Sequence, residues 1–303
     1  MIKLIPYILS LLGFLLSFGI YKFELNTIYS STLAPFFQII GKPIRTMNKA
    51  LTKMIPVDSL DEKEYGDAIK LRYKETSETS SDDSLYLNSL IQKIEIHKKK
   101  PFDYEVFILK SSLPNAFAMP GGVIFVTEGL LDSLDSESQL VAVLAHEIGH
   151  IEKSHCMDAI RFELLTKKIG SDTLGALADF AFRFFMQSSY NKTQESEADD
   201  YAFSLLLMTD YHPMGESEAF LKLLSNQTTR DTSGPGKSNH PILEYFQSHP
   251  YLELRAEKFK AAAEREISLY PEKTYYIGKK NLRERKAYPE TEYDDEFTNG
   301  RND

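Results

Sequence analysis

A chain of 303 residues with a single cysteine, Cys156, can build neither an internal disulfide framework nor a thiolate-clustered metal site. It also lacks a basic surplus: the formal net charge is −9, which argues against a nucleic-acid partner engaged through a positive surface. Internal repeats and low-complexity tracts are missing, and 42% hydrophobic with 26% charged residues excludes wholesale disorder. Long apolar runs are scarce as well. Only Leu4 to Tyr21 holds 18 consecutive uncharged residues, so a multi-span membrane enzyme is excluded. A metal, if the chain holds one, must rely on the seven histidines and the carboxylates.

As a helix, Leu4 to Tyr21 reaches roughly 27 Å, close to the hydrocarbon thickness of a bilayer. A secretory signal has a shorter apolar core and a small-x-small cleavage site. Here the one passable site, Ser17-Phe18-Gly19, lies inside the run, and no cysteine follows for lipid attachment. An uncleaved membrane anchor over residues 1–23 is therefore favoured over a cleaved signal, and both over a buried core helix. Lys3 against Lys22 and Glu24 barely encodes an orientation. Residues 24–55 read as a connector, 56–268 as the main domain and 269–303 as a charged C-terminal tail. The last 15 residues carry six acids against one arginine, which reads as a solvated segment.

Within the main domain, Leu87, Leu90, Ile91 and Ile94 recur at helical spacing after a polar loop from Thr76. Tyr104 to Leu109 and Gly122 to Thr127 are β-type runs, joined through Pro114 and Pro120-Gly121-Gly122. Thr173 to Gln187 is rich in Leu, Phe and Met. Its composition fits a buried core helix, with a lid or membrane-contacting segment as the alternative.

The sharpest signal is His146-Glu147-Ile148-Gly149-His150 in a run from Gln139 to Ile151 with a helical apolar face, preceded by a capping box of Ser136 and Gln139. Histidines four apart on one helical face can direct two imidazole nitrogens at one zinc ion, and the intervening glutamate can act on a water there. Gly149 costs about 1 kcal/mol against alanine inside a helix, a violation that a close neighbour would explain. A third ligand is needed. Cys156, read as continuing the same helical run, falls off the ligand stripe. Glu195 is the better candidate: Glu195, Ala198, Asp199 and Ala202 share a helical face whose small residues permit close approach. Two carboxylates buried there would be costly unless a metal takes Glu195 and a liganding histidine's far nitrogen takes Asp199.

These residues resemble the zinc metallopeptidase superfamily that includes HtpX and the CAAX prenyl proteases, in its soluble-domain, BepA-like periplasmic branch. The blocks that match are Asn115 to Gly122 with Val126 to Leu131, His146 to His150, Glu195 to Asp199, and Ser248-His249-Pro250 with Arg255. Their order and spacing agree over about residues 55–265. The resemblance implies an α+β, zincin-like metallopeptidase domain, mainly helical with a small antiparallel sheet at the active-site cleft. It implies one zinc ion per chain on His146, His150 and Glu195, with Glu147 as general base and Asp199 orienting a ligand. Asn115, Ala116 and Phe117 correspond to an edge strand that pairs with substrate backbone.

By the same resemblance His249 approaches the zinc or stabilises the oxyanion, with Arg255 a further oxyanion candidate. His240-Pro241 competes for the His249 role, and the spacing to Arg255 favours His249. His212-Pro213 reads as a turn without a role. The expected activity is zinc-dependent endoproteolysis of misfolded or membrane and envelope proteins. Polypeptides are the partners, and the catalytic domain is expected on the extracytoplasmic, periplasmic side of the inner membrane. The alternative is a metal-containing chaperone or assembly factor with little proteolysis.

Overall fold

The computed structural model describes residues 59–74, 81–160, 179, 181–183, 185, 190–231, 249, 252–288 and 290–299. The expected anchor and connector lie outside these residues, as do His240 and most of the segment from Thr173 to Gln187. No helix among the described residues is long and apolar enough to cross a membrane.

Two helices, α1 (Ser59–Lys74) and α2 (Asp82–Ile94), precede a three-stranded sheet. Helix α2 is capped by Ser81, whose side chain accepts the Ser84 amide, and it buries the periodic Leu87, Leu90, Ile91 and Ile94. The strands are β1 (Glu105–Leu109), β2 (Ala116–Met119) and β3 (Val123–Thr127), in spatial order β1-β3-β2. The sheet is mixed rather than antiparallel. β2 and β3 form an antiparallel hairpin, Phe117 opposite Phe125, but β1 runs parallel to β3 with Phe107 opposite Phe125. The β2–β3 turn needs glycine: Gly121 and Gly122 have φ of 76° and 84°, and Gly121 lies backbone to backbone on Gly66 of α1. As the central strand, β3 is buried throughout, which is why its sequence is an unbroken apolar run instead of an alternating one.

The edges of this sheet differ. On β1, Asn88 of α2 acts as a surrogate strand: its amide nitrogen donates to Val106 O and its oxygen accepts from Val106 N, both at 2.9 Å. On β2, Asn115 O accepts the Thr127 amide at 3.0 Å, so Asn115 and Phe117 face β3. By strand alternation the backbone groups of Ala116 and Ala118 point away from the sheet.

After α3 (Glu128–Ser133) comes α4 (Glu137–Glu152), the helix carrying the His-Glu-x-x-His pattern, packed against β2. Ser136 caps it by accepting the Gln139 amide, but the Gln139 side chain accepts from Asp135 N, so the reciprocal half of the capping box falls one residue early. Helices α5 (Lys192–Leu207), α6 (Gly215–Asp231) and α7 (Leu252–Leu269) complete the helical layer.

The segment expected to be a solvated tail is folded. Strand β4 (Tyr275–Tyr276) pairs with β5 (Phe297–Thr298), and α8 (Lys279–Glu284) lies between them. Tyr275 and Tyr276 are fully buried, and Tyr276 stacks on Tyr288. Carbonyls of Gly278 and Ile277 accept the amides of Glu137 and Ser138, closing the first turn of α4. Net charge misleads here because Tyr275 and Tyr276 enter the core, and one of the acids, Glu296, is itself buried and accepts the Lys279 and Lys280 amides.

Candidate metal centre

Helix α4 stops at Glu152, and Ser154 adopts a left-handed conformation with φ of 61° before residues 155–160 resume a helix. Cys156 is therefore not a continuation of the ligand helix. Its thiol is buried, 3.6 Å from Ala118 O and 3.3 Å from the Tyr190 hydroxyl. Helix α5 begins with a full capping box of Asn191 and Gln194 and crosses α4 at the glycine. A β-carbon on Gly149 would lie 2.9 Å from Ala198 O and 3.0 Å from Ala198 Cα. The glycine thus permits the contact that brings Glu195 and Asp199 to the histidines.

His146, His150, Glu195 and His249 are all buried, and one donor atom of each lies within 4.8 Å of the others. His146 Nε2 is 3.0 Å from His150 Nε2 and 3.6 Å from Glu195 Oε2, and His150 Nε2 is 3.3 Å from Glu195 Oε1. His249 Nδ1 stands 3.2 Å from His146 Nε2 and 3.2 Å from Glu195. Donors held about 2.0–2.1 Å from a tetrahedral ion are about 3.3 Å apart, so this spacing fits a metal. Proton positions agree. His146 Nδ1 is 2.9 Å from Asp199 Oδ1, an acceptor, which leaves Nε2 with a lone pair aimed at the shared centre. Nitrogen lone pairs converging with a carboxylate in a buried site suit a metal ion.

The electrostatics point the same way. Burial pushes Glu195 up, yet His249, hydrogen bonds with His150 and His249, and His146 hold its carboxyl well below the usual range. Burial also opposes ionisation of Asp199, and His146 with Arg255 reverses it. His150 is kept well below the ordinary histidine value by burial. His249, also opposed by burial, is nonetheless raised by Glu195 and Glu147. Glu147 is fully buried, and burial pushes its carboxyl up against the pull of His249, His146 and the Ala118 amide. His249 Nε2 faces it at 3.5 Å.

Arg255 grips Asp199 with Nε at 2.9 Å and Nη2 at 2.6 Å, and places Nη1 2.7 Å from Glu195 Oε2. Its guanidinium lies 4.4 Å over the Phe220 ring. The sequence-derived residues thus gather as a group: His146, Glu147 and His150 on α4, Glu195 and Asp199 on α5, Arg255 on α7, His249 just before it. Ala116 to Ala118 lie alongside on β2. His212 sits elsewhere, buried against Tyr275.

Three residues were missed. The Tyr190 ring stacks on His150 at 3.8 Å between centroids and 20° between planes. His155 Nδ1 meets His150 Nδ1 at 3.1 Å, and Glu197 Oε2 meets His155 Nε2 at 3.1 Å. Spacing alone hides His155, because five residues beyond His150 is the wrong interval for a shared helical face.

Two helices that hand imidazole and carboxylate donors to one buried point, with a catalytic-type glutamate beside them and a strand edge alongside, define a metallopeptidase domain. The chain belongs to peptidase family M48, whose family model matches residues 84–263. It is similar to the mitochondrial metalloendopeptidase OMA1 of Schizosaccharomyces pombe, 31% identical over 45% of this chain and 40% of that protein. It is similar to the metalloprotease LoiP of Escherichia coli, 28% identical over 53% of this chain and 62% of the relative. It also resembles the beta-barrel assembly-enhancing protease of Escherichia coli, 37% identical over 25% of this chain and 16% of that protein. The chain thus spans under two thirds of the length of these relatives.

Proposed function

We propose that this chain is a zinc-dependent endopeptidase acting on loosely folded polypeptides, misfolded or membrane and envelope proteins among them, with one zinc ion on His146, His150 and Glu195. The observation that carries the reading is the cluster of these donors beside Glu147, a fully buried carboxyl. A zinc ion held there supplies Lewis acidity toward a peptide carbonyl and eases ionisation of water to near neutral pH, to about 7. Glu147 takes the proton of the attacking water and returns it to the leaving amine. Its raised pKa direction suits that exchange.

Substrate backbone adds to β2, since Asn88 already occupies the far edge of the sheet. The groups turned outward belong to Ala116 and Ala118, but the Ala118 carbonyl already faces the Cys156 thiol, so within the Asn115 to Phe117 segment Ala116 is the pairing residue. Asp199 orients His146. Arg255, bound to both carboxylates, acts as a positioning residue rather than facing the substrate carbonyl. His249, at the fourth corner of the cluster, gates the centre: its Nδ1 stands where water must enter. Residues 1–23 anchor the domain in a membrane, with the catalytic part extracytoplasmic.

Metal analysis and hydrolysis of an unfolded polypeptide test this. Glu195→Ala should lose most of its zinc, and full retention would move the third ligand elsewhere. Glu147→Gln should keep zinc and fold but lose hydrolysis by about 10²–10⁴-fold, the range of general acid–base catalysis. Unchanged turnover would refute the mechanism. A wild-type chain that holds unfolded polypeptide but never cleaves it is the chaperone of the alternative reading. His249→Ala should raise basal cleavage if the ring gates, whereas a loss of about 10²–10³-fold would make it an oxyanion stabiliser.

A further inference from the structure

We propose that His155 and Glu197 are positioning residues that fix the ring of His150 and present its Nε2 lone pair to the metal, an inference that rests on the metal site proposed above. The argument is one of proton bookkeeping. A carboxylate only accepts hydrogen bonds, so Glu197 Oε2, 3.1 Å from His155 Nε2, receives the proton on that nitrogen. A neutral imidazole with a proton on Nε2 has a lone pair on Nδ1. His155 Nδ1 therefore accepts across 3.1 Å from His150 Nδ1–H. His150 Nε2 is left as a lone pair, and it faces His146 Nε2 at 3.0 Å and Glu195 Oε1 at 3.3 Å. The opposite tautomer would aim an N–H at the centre.

The relay repeats, one residue longer, what Asp199 does for His146. Its burial is asymmetric: His155 is 3% exposed, whereas the Glu197 side chain is about one third exposed, so the chain of hydrogen bonds runs from the centre to the surface. The backbone gives an independent sign. Ser154, a non-glycine residue, holds a left-handed φ of 61°, a conformation costing about 1–2 kcal/mol that persists where the surroundings over-determine it. That turn reverses the chain after α4 and returns His155 to His150. On its other face His150 is held by the Tyr190 ring at 3.8 Å, so edge and face are both fixed.

Zinc and cobalt(II) titrations of the full chain, read as affinity, test the proposal. His155→Leu should weaken binding by about 10–100-fold, the usual effect of removing a partner of a liganding histidine. His155→Gln should stay within a few-fold of wild type, because the amide oxygen can accept from His150 while its NH₂ donates to Glu197. A packing role predicts the reverse order, with leucine the better substitute. Glu197→Ala should lie between the two and carries the test if His155→Leu does not fold. In the zinc-loaded wild type, nitrogen NMR of His150 should show Nδ1 protonated. Equal affinity for His155→Leu and wild type would overturn the proposal alone, whereas a protonated Nε2 on His150 would remove that ring from the metal site as well. A wild-type chain that binds neither ion would overturn the metal site itself, and this inference with it.

Discussion

At the N-terminal end of α4, Glu137 is fully buried; near the other end of the same helix, α5 buries Glu195 to 2% exposure. The two carboxyls meet opposite fates. Burial pushes Glu137 up to about 8, and hydrogen bonds from the Tyr288 amide and the Tyr211 hydroxyl only partly offset it. Glu195 is held well below the ordinary range because His249, His150 and His146 surround it. Glu147, in the centre, is likewise pushed up by burial, against the pull of His249, His146 and the Ala118 amide. Neither position in the helix nor depth decides ionisation. The outcome follows from how far charged and donating neighbours offset burial at each site. One end of α4 is a neutral structural anchor for the C-terminal segment, and the other is an ionised cage requiring a cation.

Removing the cation that neutralises the cage should have the largest effect on stability. Arg255→Leu leaves Asp199 and Glu195 buried without their guanidinium and should destabilise the metal-free chain by about 3–5 kcal/mol in denaturant unfolding. Added zinc should recover part of that loss, since it supplies positive charge at the same carboxylate. No recovery would break the comparison at its charged end.

Gly149→Ala tests the geometry behind the cage. The new methyl meets the Ala198 backbone, so overpacking of about 1–3 kcal/mol should exceed the helix-propensity gain of about 1 kcal/mol. Zinc affinity should fall in parallel, as α5 is pushed away.

At the neutral end the folded state keeps a proton on Glu137 to about pH 8, whereas the unfolded chain releases it near 4.5. Between these values the folded state binds more protons, so this group's contribution to stability is lost as pH rises from 4.5 to 8. Glu137→Gln should flatten that slope, leaving the variant less penalised than wild type at pH 8. Thermal unfolding of both proteins at pH 5 and pH 8 checks it, and parallel curves would mean Glu137 is ionised in the fold. Smallest is Ser154→Gly, which relieves a left-handed serine and should raise stability by about 0.5–1 kcal/mol, read from the urea midpoint.

Much of the site was legible because helical spacing is rigid. Positions 146 and 150, or 195 and 199, share a face whatever surrounds them, and the chemistry of the side chains announces the metal. The β-runs at 104–109 and 122–127 were legible for the same local reason, and they became β1 and β3. The parallel pairing of those two strands was not, since a strand's direction relative to another depends on the route of the intervening chain. The folded C-terminal segment was hidden by its charge, although Tyr275, Tyr276, Tyr288 and Phe297 were there to be counted as core.

By itself the sequence determined which residues could bind a metal, and it did so through periodicity and donor chemistry, both local properties. It also determined the crossing point of α4 and α5, because only glycine and alanine leave room for backbone contact. Tertiary structure alone decided the rest. It set Arg255 on the carboxylates, brought β2 alongside the Cys156 thiol, and folded Ser154 back so that His155 reaches His150. These outcomes depend on where distant segments meet and on the balance of desolvation against charge at that meeting, and neither is a property of any short stretch of chain.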